Sequence, residues 1–167
     1  MKFTYCPDCG SELMEREIGD EGLIPFCETC SRPWFPLSYT CTITLVVNEL
    51  GEIGLIRQGY VSATNFICVA GYMKLRERAE DTAAREVLEE VGLKAEKIIY
   101  IDSYPFERRD MLMLGFVALV KKDKFCLSGE VDQAEWFSYE MAMANLKEGS
   151  IAKRLCEAGY AEVRGLL

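Results

Sequence analysis

Residues 71–93 read GYMKLRERAEDTAAREVLEEVGL. The spacing predicts a helix over 79–91, with Ala83, Val87 and Val91 on one apolar stripe and Gly92 ending it. Positions three and four apart share a helix face, so Glu86, Glu89 and Glu90 stand together on one side. Like charges spaced i,i+4 cost about 0.2–0.5 kcal/mol per pair in an isolated helix, and a solvated helix has no reason to concentrate them. A hard divalent cation supplies one. Mg²⁺ takes carboxylate oxygens, waters and substrate phosphate oxygens, and so neutralises the crowding.

Outward from this helix the pattern changes. Residues 40–48 (TCTITLVVN) are β-branched and apolar and predict a strand; 49–52 read as a turn and 53–57 as its partner strand. Further strands are expected at 66–70, 98–103, 111–120 and 136–137, and two helices at the C-terminal end, one from about Tyr139 and one after an N-cap at Ser150. Strands mixed with few helices suggest an α+β domain, a mixed β-sheet sandwiched between helices.

Ahead of it stand Cys6-Pro-Asp-Cys9 and Cys27-Glu-Thr-Cys30, 17 residues apart. Four thiolates in two knuckles at this spacing make a closed tetrahedral site suited to structural Zn²⁺, with iron the alternative. The Pro-bracketed Ser31-Arg-Pro-Trp34-Phe35-Pro36 predicts a boundary near 31–38, with aromatics packing between modules: a ribbon over 1–35 and a second domain over 36–167. Cys41, Cys68, Cys126 and Cys156 lie in apolar surroundings and read as small buried hydrophobes.

The chain has 167 residues and no histidine, which removes His-dependent nucleophilic devices and every His-containing metal site. General-base work then falls to carboxylates, Lys, Tyr or Cys. The net charge of -8 speaks against a nucleic-acid backbone as partner and allows a phosphate-bearing small molecule bridged by metal. No apolar run is long enough for a bilayer or a signal peptide. The expectation is therefore no membrane partner and a reducing cytoplasm, where thiols are free or bind metal.

The 71–93 segment matches the Nudix box, G-x5-E-x7-R-E-U-x-E-E-x-G-U with U aliphatic, at every defined position; chance agreement is on the order of 10⁻⁸ per starting position. The resemblance implies a hydrolase acting on the diphosphate linkage of a nucleoside diphosphate derivative, by water attack on phosphorus. A dinucleotide such as NADH, ADP-ribose or a nucleotide sugar would be the substrate. It further implies that Glu86, Glu89 and Glu90 hold Mg²⁺ or Mn²⁺, that Gly71 offers a carbonyl, and that Glu130 completes the site. Arg85 would orient Glu86, and Glu77 would fix the loop onto the helix. Glu86 and Glu130 are the candidate bases. Two positions depart from many relatives: Lys74 replaces a glutamate, and Arg78 replaces a capping Ser or Thr.

A four-cysteine ribbon before the box is the layout of the NADH pyrophosphatase-like branch, whose later motif S-Q-P-W-P-F-P-x-S-L-M-x-G-F corresponds to residues 103–116 here. Both ends fit, whereas Glu107, Arg108 and Arg109 replace its P-F-P. Tyr104 and Phe106 are candidates to stack on a base, and Arg108 and Arg109 to meet an extra phosphate or acid. Core packing and a solvated turn are the plainer alternatives. Relatives in this branch often pair as dimers, and the resemblance admits a homodimer here. Competing classes are a non-catalytic nucleotide-sensing module and a ribbon-centred nucleic-acid adaptor, the latter disfavoured by the acidic balance.

Overall fold

The structure, a computed structural model, describes residues 2–62 and 64–166. These form two compact units, one of residues 2–39 with Arg108–Asp110, the other of residues 40–107 with 111–166.

In the first unit β1 (Met14–Glu17), β2 (Leu23–Cys27) and β3 (Arg32–Pro33) form an antiparallel sheet in that order. Only β2 is buried along most of its length, through Ile24, Phe26 and Cys27, which is little apolar surface for an independent core. Stacked cations extend it: Arg16 lies 4.3 Å over Phe26 and Arg32 lies 4.4 Å over Trp34. Trp34, expected between modules, belongs to this unit. It meets Phe3 edge-on at 5.5 Å, and its backbone N–H donates to Pro25 O at 2.7 Å, so the compact unit continues to Tyr39.

In the second unit β4 (Tyr39–Asn48, of which residues from Thr40 on belong to this unit), β5 (Ile53–Arg57), β6 (Val69–Tyr72), β7 (Ala95–Phe106), β8 (Met111–Val120) and β9 (Gln133–Phe137) build one sheet. Its order is β7-β8-β4-β5-β9, with β6 pairing along Cys41–Thr44 of β4. The two-residue period of β4 divides the interior. Ile43, Leu45 and Val47 join one cluster with Ala142 of α2 (Tyr139–Asn145) and Leu155, Cys156 and Val163 of α3 (Ile151–Val163). Val46 joins the other, with Val87 and Val91 of α1 (Ala79–Val91). The fold is α+β, a sheet between helices.

Ser138 and Ser150 cap α2 and α3 by accepting from Met141 N and Lys153 N. Arg78 at the start of α1 offers no side-chain cap, and Glu80 and Asp81 in the first turn face the positive helix end instead. The 66–70 expectation shifts: β6 begins at Val69, while Phe66 and Ile67 make only isolated bridges to Leu146 and Ile56. Cys41, Cys68 and Cys156 are buried, but Cys126 is exposed. It is the Cys126 backbone that is engaged, on α1. No helix among the described residues is long and apolar enough to cross a membrane.

Candidate active site

The acidic site is organised by Arg85. Its Nε and Nη2 grip Glu77 at 2.7 and 2.9 Å, Nη1 donates to Glu86 at 2.6 Å and Glu89 at 2.9 Å, and Nη2 donates to Tyr72 O at 3.2 Å. Five contacts match the five N–H groups of a guanidinium. Glu77 also accepts from Lys74 N at 3.0 Å, closing the 74–77 loop onto the helix, and the Arg85 hydrogen bonds hold its carboxyl down at about 2.

The three helix acids graduate from water to core. Glu89 is 53% exposed and shares Arg85 Nη1 with Glu86. Glu86 is half-buried, and burial raises its carboxyl above the ordinary range. Its carboxylate lies where a Gly71 Cβ would stand: that atom would meet Glu86 Cδ at 2.0 Å and Oε1 at 2.1 Å. Any Cβ there would have to push the Glu86 carboxylate from this position. Glu90 is only 6% exposed. Gln58 Nε2 donates to its Oε1 at 3.0 Å, while Oε2 is buried without a hydrogen-bond partner. Desolvation above all, then the charges of Glu86 and Glu130, pushes its carboxyl up to about 7.

Two loops close around this helix end. Gly92 takes φ +73°, and a Cβ there would meet Cys126 Cβ at 2.5 Å and Cys126 O at 3.1 Å. Cys126 N and Ser128 N donate to Val91 O and Glu90 O at 2.9 and 3.1 Å, satisfying carbonyls that a helix end leaves orphaned. The loop so latched carries Glu130, which is exposed. It is tied in turn to the segment after β5, since Gly59 N donates to Asp132 Oδ2 at 2.6 Å and Asp132 N to Arg57 O at 2.9 Å. Tyr60 on that segment is exposed; partial desolvation and the charges of Glu130, Glu90 and Glu86 raise its hydroxyl. Gln58 and Tyr60 carried no signal in the sequence, because nothing local links residue 58 to residue 90.

The acids as a set thus divide rather than converge: Glu86 and Glu89 turn to Arg85, and Glu90 turns inward to Gln58. A buried carboxylate oxygen without a donor, next to a second desolvated carboxylate, suits a hard divalent cation, which takes oxygen ligands and offsets their charge.

In the ribbon unit the four Sγ atoms of Cys6, Cys9, Cys27 and Cys30 all lie within 4.8 Å of one another. Cys9 and Cys27 are separated by 3.5 Å and Cys6 and Cys30 by 3.9 Å. Four sulfurs 2.3 Å from a common tetrahedral centre stand about 3.8 Å apart, so the cage fits a metal of zinc size. Ser11 brings the Cys9 thiol down to about 6, whereas the neighbouring Cys9 pushes Cys30 up to about 12; a dication relieves that conflict.

Of the residues expected at a substrate, Tyr104 is a correction. It is buried in the α3-side core, with Arg154 5.2 Å over its ring and Gly115 against its edge, so it offers no face to a base. Phe106 is half-buried at the end of β7. Arg108 and Arg109 are exposed in a 3-10 turn grouped with the ribbon unit.

Residues 39–157 match the NUDIX domain family. Over 161 residues the chain is 26% identical to the NAD-capped RNA hydrolase NudC of Edwardsiella ictaluri, covering 96% of this chain and 61% of that protein. The chain spans about six-tenths of the length of such bacterial relatives. Among solved structures, a NUDIX hydrolase from Nitrosomonas europaea superposes with a TM-score of 0.78 at 19% identity, covering 99% of this chain and 93% of that one. The NUDIX domain of Shewanella oneidensis NrtR, solved with ADP ribose, gives 0.67 at 11% identity, covering 83% of this chain and 94% of that one.

Proposed function

The chain belongs to the NUDIX family, and from that premise we propose that it hydrolyses the diphosphate bridge of an NAD-type dinucleotide, with Mg²⁺ or Mn²⁺ at the acidic helix and Zn²⁺ in the ribbon. The observation that carries the reading is Glu90 Oε2, buried without a donor beside the desolvated Glu86. Glu86 and Glu90 would hold the cation, with the Gly71 carbonyl and Glu130 as further oxygen donors, and Glu89 at the solvent edge. When bound, such an ion polarises phosphate oxygens and lowers the pKa of water.

The chain's own residues do the rest. Arg85 holds Glu86 and Glu89 at fixed positions and is itself held by Glu77, so the carboxylates need not reorganise when substrate enters. Gln58 orients the Glu90 carboxylate. Glu86, over Gly71, and Glu130, on its latched loop, are the two candidates to take the proton of the attacking water.

The relatives' names narrow the expectation of no nucleic-acid partner, since an NAD-type dinucleotide also occurs at an RNA end in their substrates. The acidic balance of this chain favours the free dinucleotide. The deciding experiment is a panel of NAD, NADH, ADP-ribose, FAD, diadenosine polyphosphates, nucleotide sugars and NAD-capped RNA, with and without divalent metal, products identified by mass. Metal-dependent release of two mononucleotides from NAD or NADH is the expected result, with Glu90→Gln losing most turnover while staying folded. Unchanged turnover in that variant, or binding of the whole panel without hydrolysis, would defeat the assignment. Elemental analysis should find about one zinc per reduced chain, lost on Cys9→Ser.

A further inference from the structure

Lys74 occupies a place where it changes the charge balance of the acidic helix. Its backbone N–H donates to Glu77 Oε2 at 3.0 Å, and its Nζ lies 3.8 Å from Glu89 Oε1. Glu89 Oε2 meanwhile accepts from Arg85 Nη1 at 2.9 Å. Both oxygens of Glu89 therefore face cations of the chain itself, Arg85 in a close hydrogen bond and Lys74 in a looser, exposed pair. Glu90 differs: its Oε2 is buried and meets no hydrogen-bond partner among the described residues, with the Ala70 backbone a donor acting on the carboxyl. Around this helix four carboxylates (Glu77, Glu86, Glu89, Glu90) face two cations (Arg85, Lys74), and Glu130 adds to the negative field on Glu90, so the excess negative charge lies on the Glu86 and Glu90 side.

We propose that the Lys74 ammonium withdraws Glu89 from metal binding, so that the helix takes a single divalent cation, on the Glu86 and Glu90 side, where a neutral or acidic residue at position 74 would admit a second ion at Glu89. Lys74 is thus a positioning residue that sets metal stoichiometry. The inference rests on the metal-dependent reading given above. The ion pair itself is exposed on both sides, with side chains 64% and 53% accessible, and such pairs hold little folding energy. Replacing Lys74 therefore leaves the fold intact and acts through the field at the helix.

The test titrates Mn²⁺ into the zinc-loaded full chain and its Lys74→Met, Lys74→Glu and Glu90→Gln variants without substrate, reading free ion by electron paramagnetic resonance. The wild type should bind about one Mn²⁺ per chain, and Glu90→Gln should bind it at least roughly tenfold more weakly. Lys74→Glu should bind about two, and Lys74→Met should show a second, weaker ion. Equal stoichiometry and affinity in wild type and both Lys74 variants overturns the role of Lys74 while leaving the hydrolase reading standing. Two ions of similar affinity in the wild type do the same. No ion lost on Glu90→Gln removes both.

Discussion

Replacing Glu90 by Gln should stabilise the metal-free protein at alkaline pH and not at acidic pH. Glu90 is 6% exposed and its carboxyl is raised from 4.5 to about 7, mostly by desolvation. A carboxyl raised in the folded state leaves stability intact below the unfolded pKa, and stability is then lost as pH rises through the folded pKa. The window is therefore about 4.5 to 7, and above it the penalty approaches the full shift. At about 1.36 kcal/mol per unit this is about 3 kcal/mol, reduced to about 2 kcal/mol by the screening that a partly wet site retains. Gln keeps the acceptor for Gln58 Nε2 but places an amide donor where Oε2 lacks a partner, at a cost of about 1 kcal/mol. That cost is the same at every pH.

Urea unfolding should be followed at Trp136 in a Trp34→Phe background, so that fluorescence reports on the sheet unit, with no divalent metal added and no chelator that would strip the ribbon. The stability difference between Glu90→Gln and wild type should grow by about 2 kcal/mol from pH 5 to pH 8.5. Mg²⁺ at pH 8.5 should then raise the wild type more than the variant. A difference that stays constant across this range would show that Glu90 does not carry a strained negative charge, and the argument for a cation beside it would fall.

Gly71→Ala should cut turnover on the order of a hundredfold with about 1 kcal/mol of stability lost, because the new Cβ displaces the Glu86 carboxylate rather than backbone; wild-type kcat/KM in that variant would contradict the packing. Gly92→Ala should instead lose about 2–3 kcal/mol in urea unfolding, since a left-handed φ and the Cys126 backbone both oppose it. Arg85→Lys should lower kcat by roughly ten- to a hundredfold with charge preserved, because an ammonium cannot span Glu77, Glu86, Glu89 and Tyr72 O together; full activity would show that charge alone suffices.

Much of the frame was legible because it rests on local periodicity. The helix expected over 79–91 is α1, Ala79–Val91, and the strands expected at 53–57 and 111–120 have those bounds. Position within the helix was less legible. Spacing put Glu86, Glu89 and Glu90 on one side, but an acidic stripe cannot say which member the sheet will bury; that depends on Gln58, 32 residues away. Arg85 and Glu77 are eight apart and meet only because the 74–77 loop folds back, a contact no helical period predicts. Cys126 departs from the buried expectation because its apolar neighbours in sequence do not enclose it: the segment lies over Gly92 and the residue is exposed. Tyr104 went the other way, since a base-stacking aromatic and a core aromatic look identical in sequence.

The latch of Cys126 N and Ser128 N on the last carbonyls of α1 has a bearing on how such a chain can diversify. Adding a single residue near 91–93 or 126–128 would rotate or shift the carboxylates and the Glu130 segment against each other in one stroke. Innovation in what the molecule recognises is thereby channelled to stretches outside the clasp, such as 60–62 and 106–110. A library of one-residue insertions, sorted by retained hydrolysis, should leave gaps at the clasp and survivors in those stretches, a map of where lineages are free to experiment.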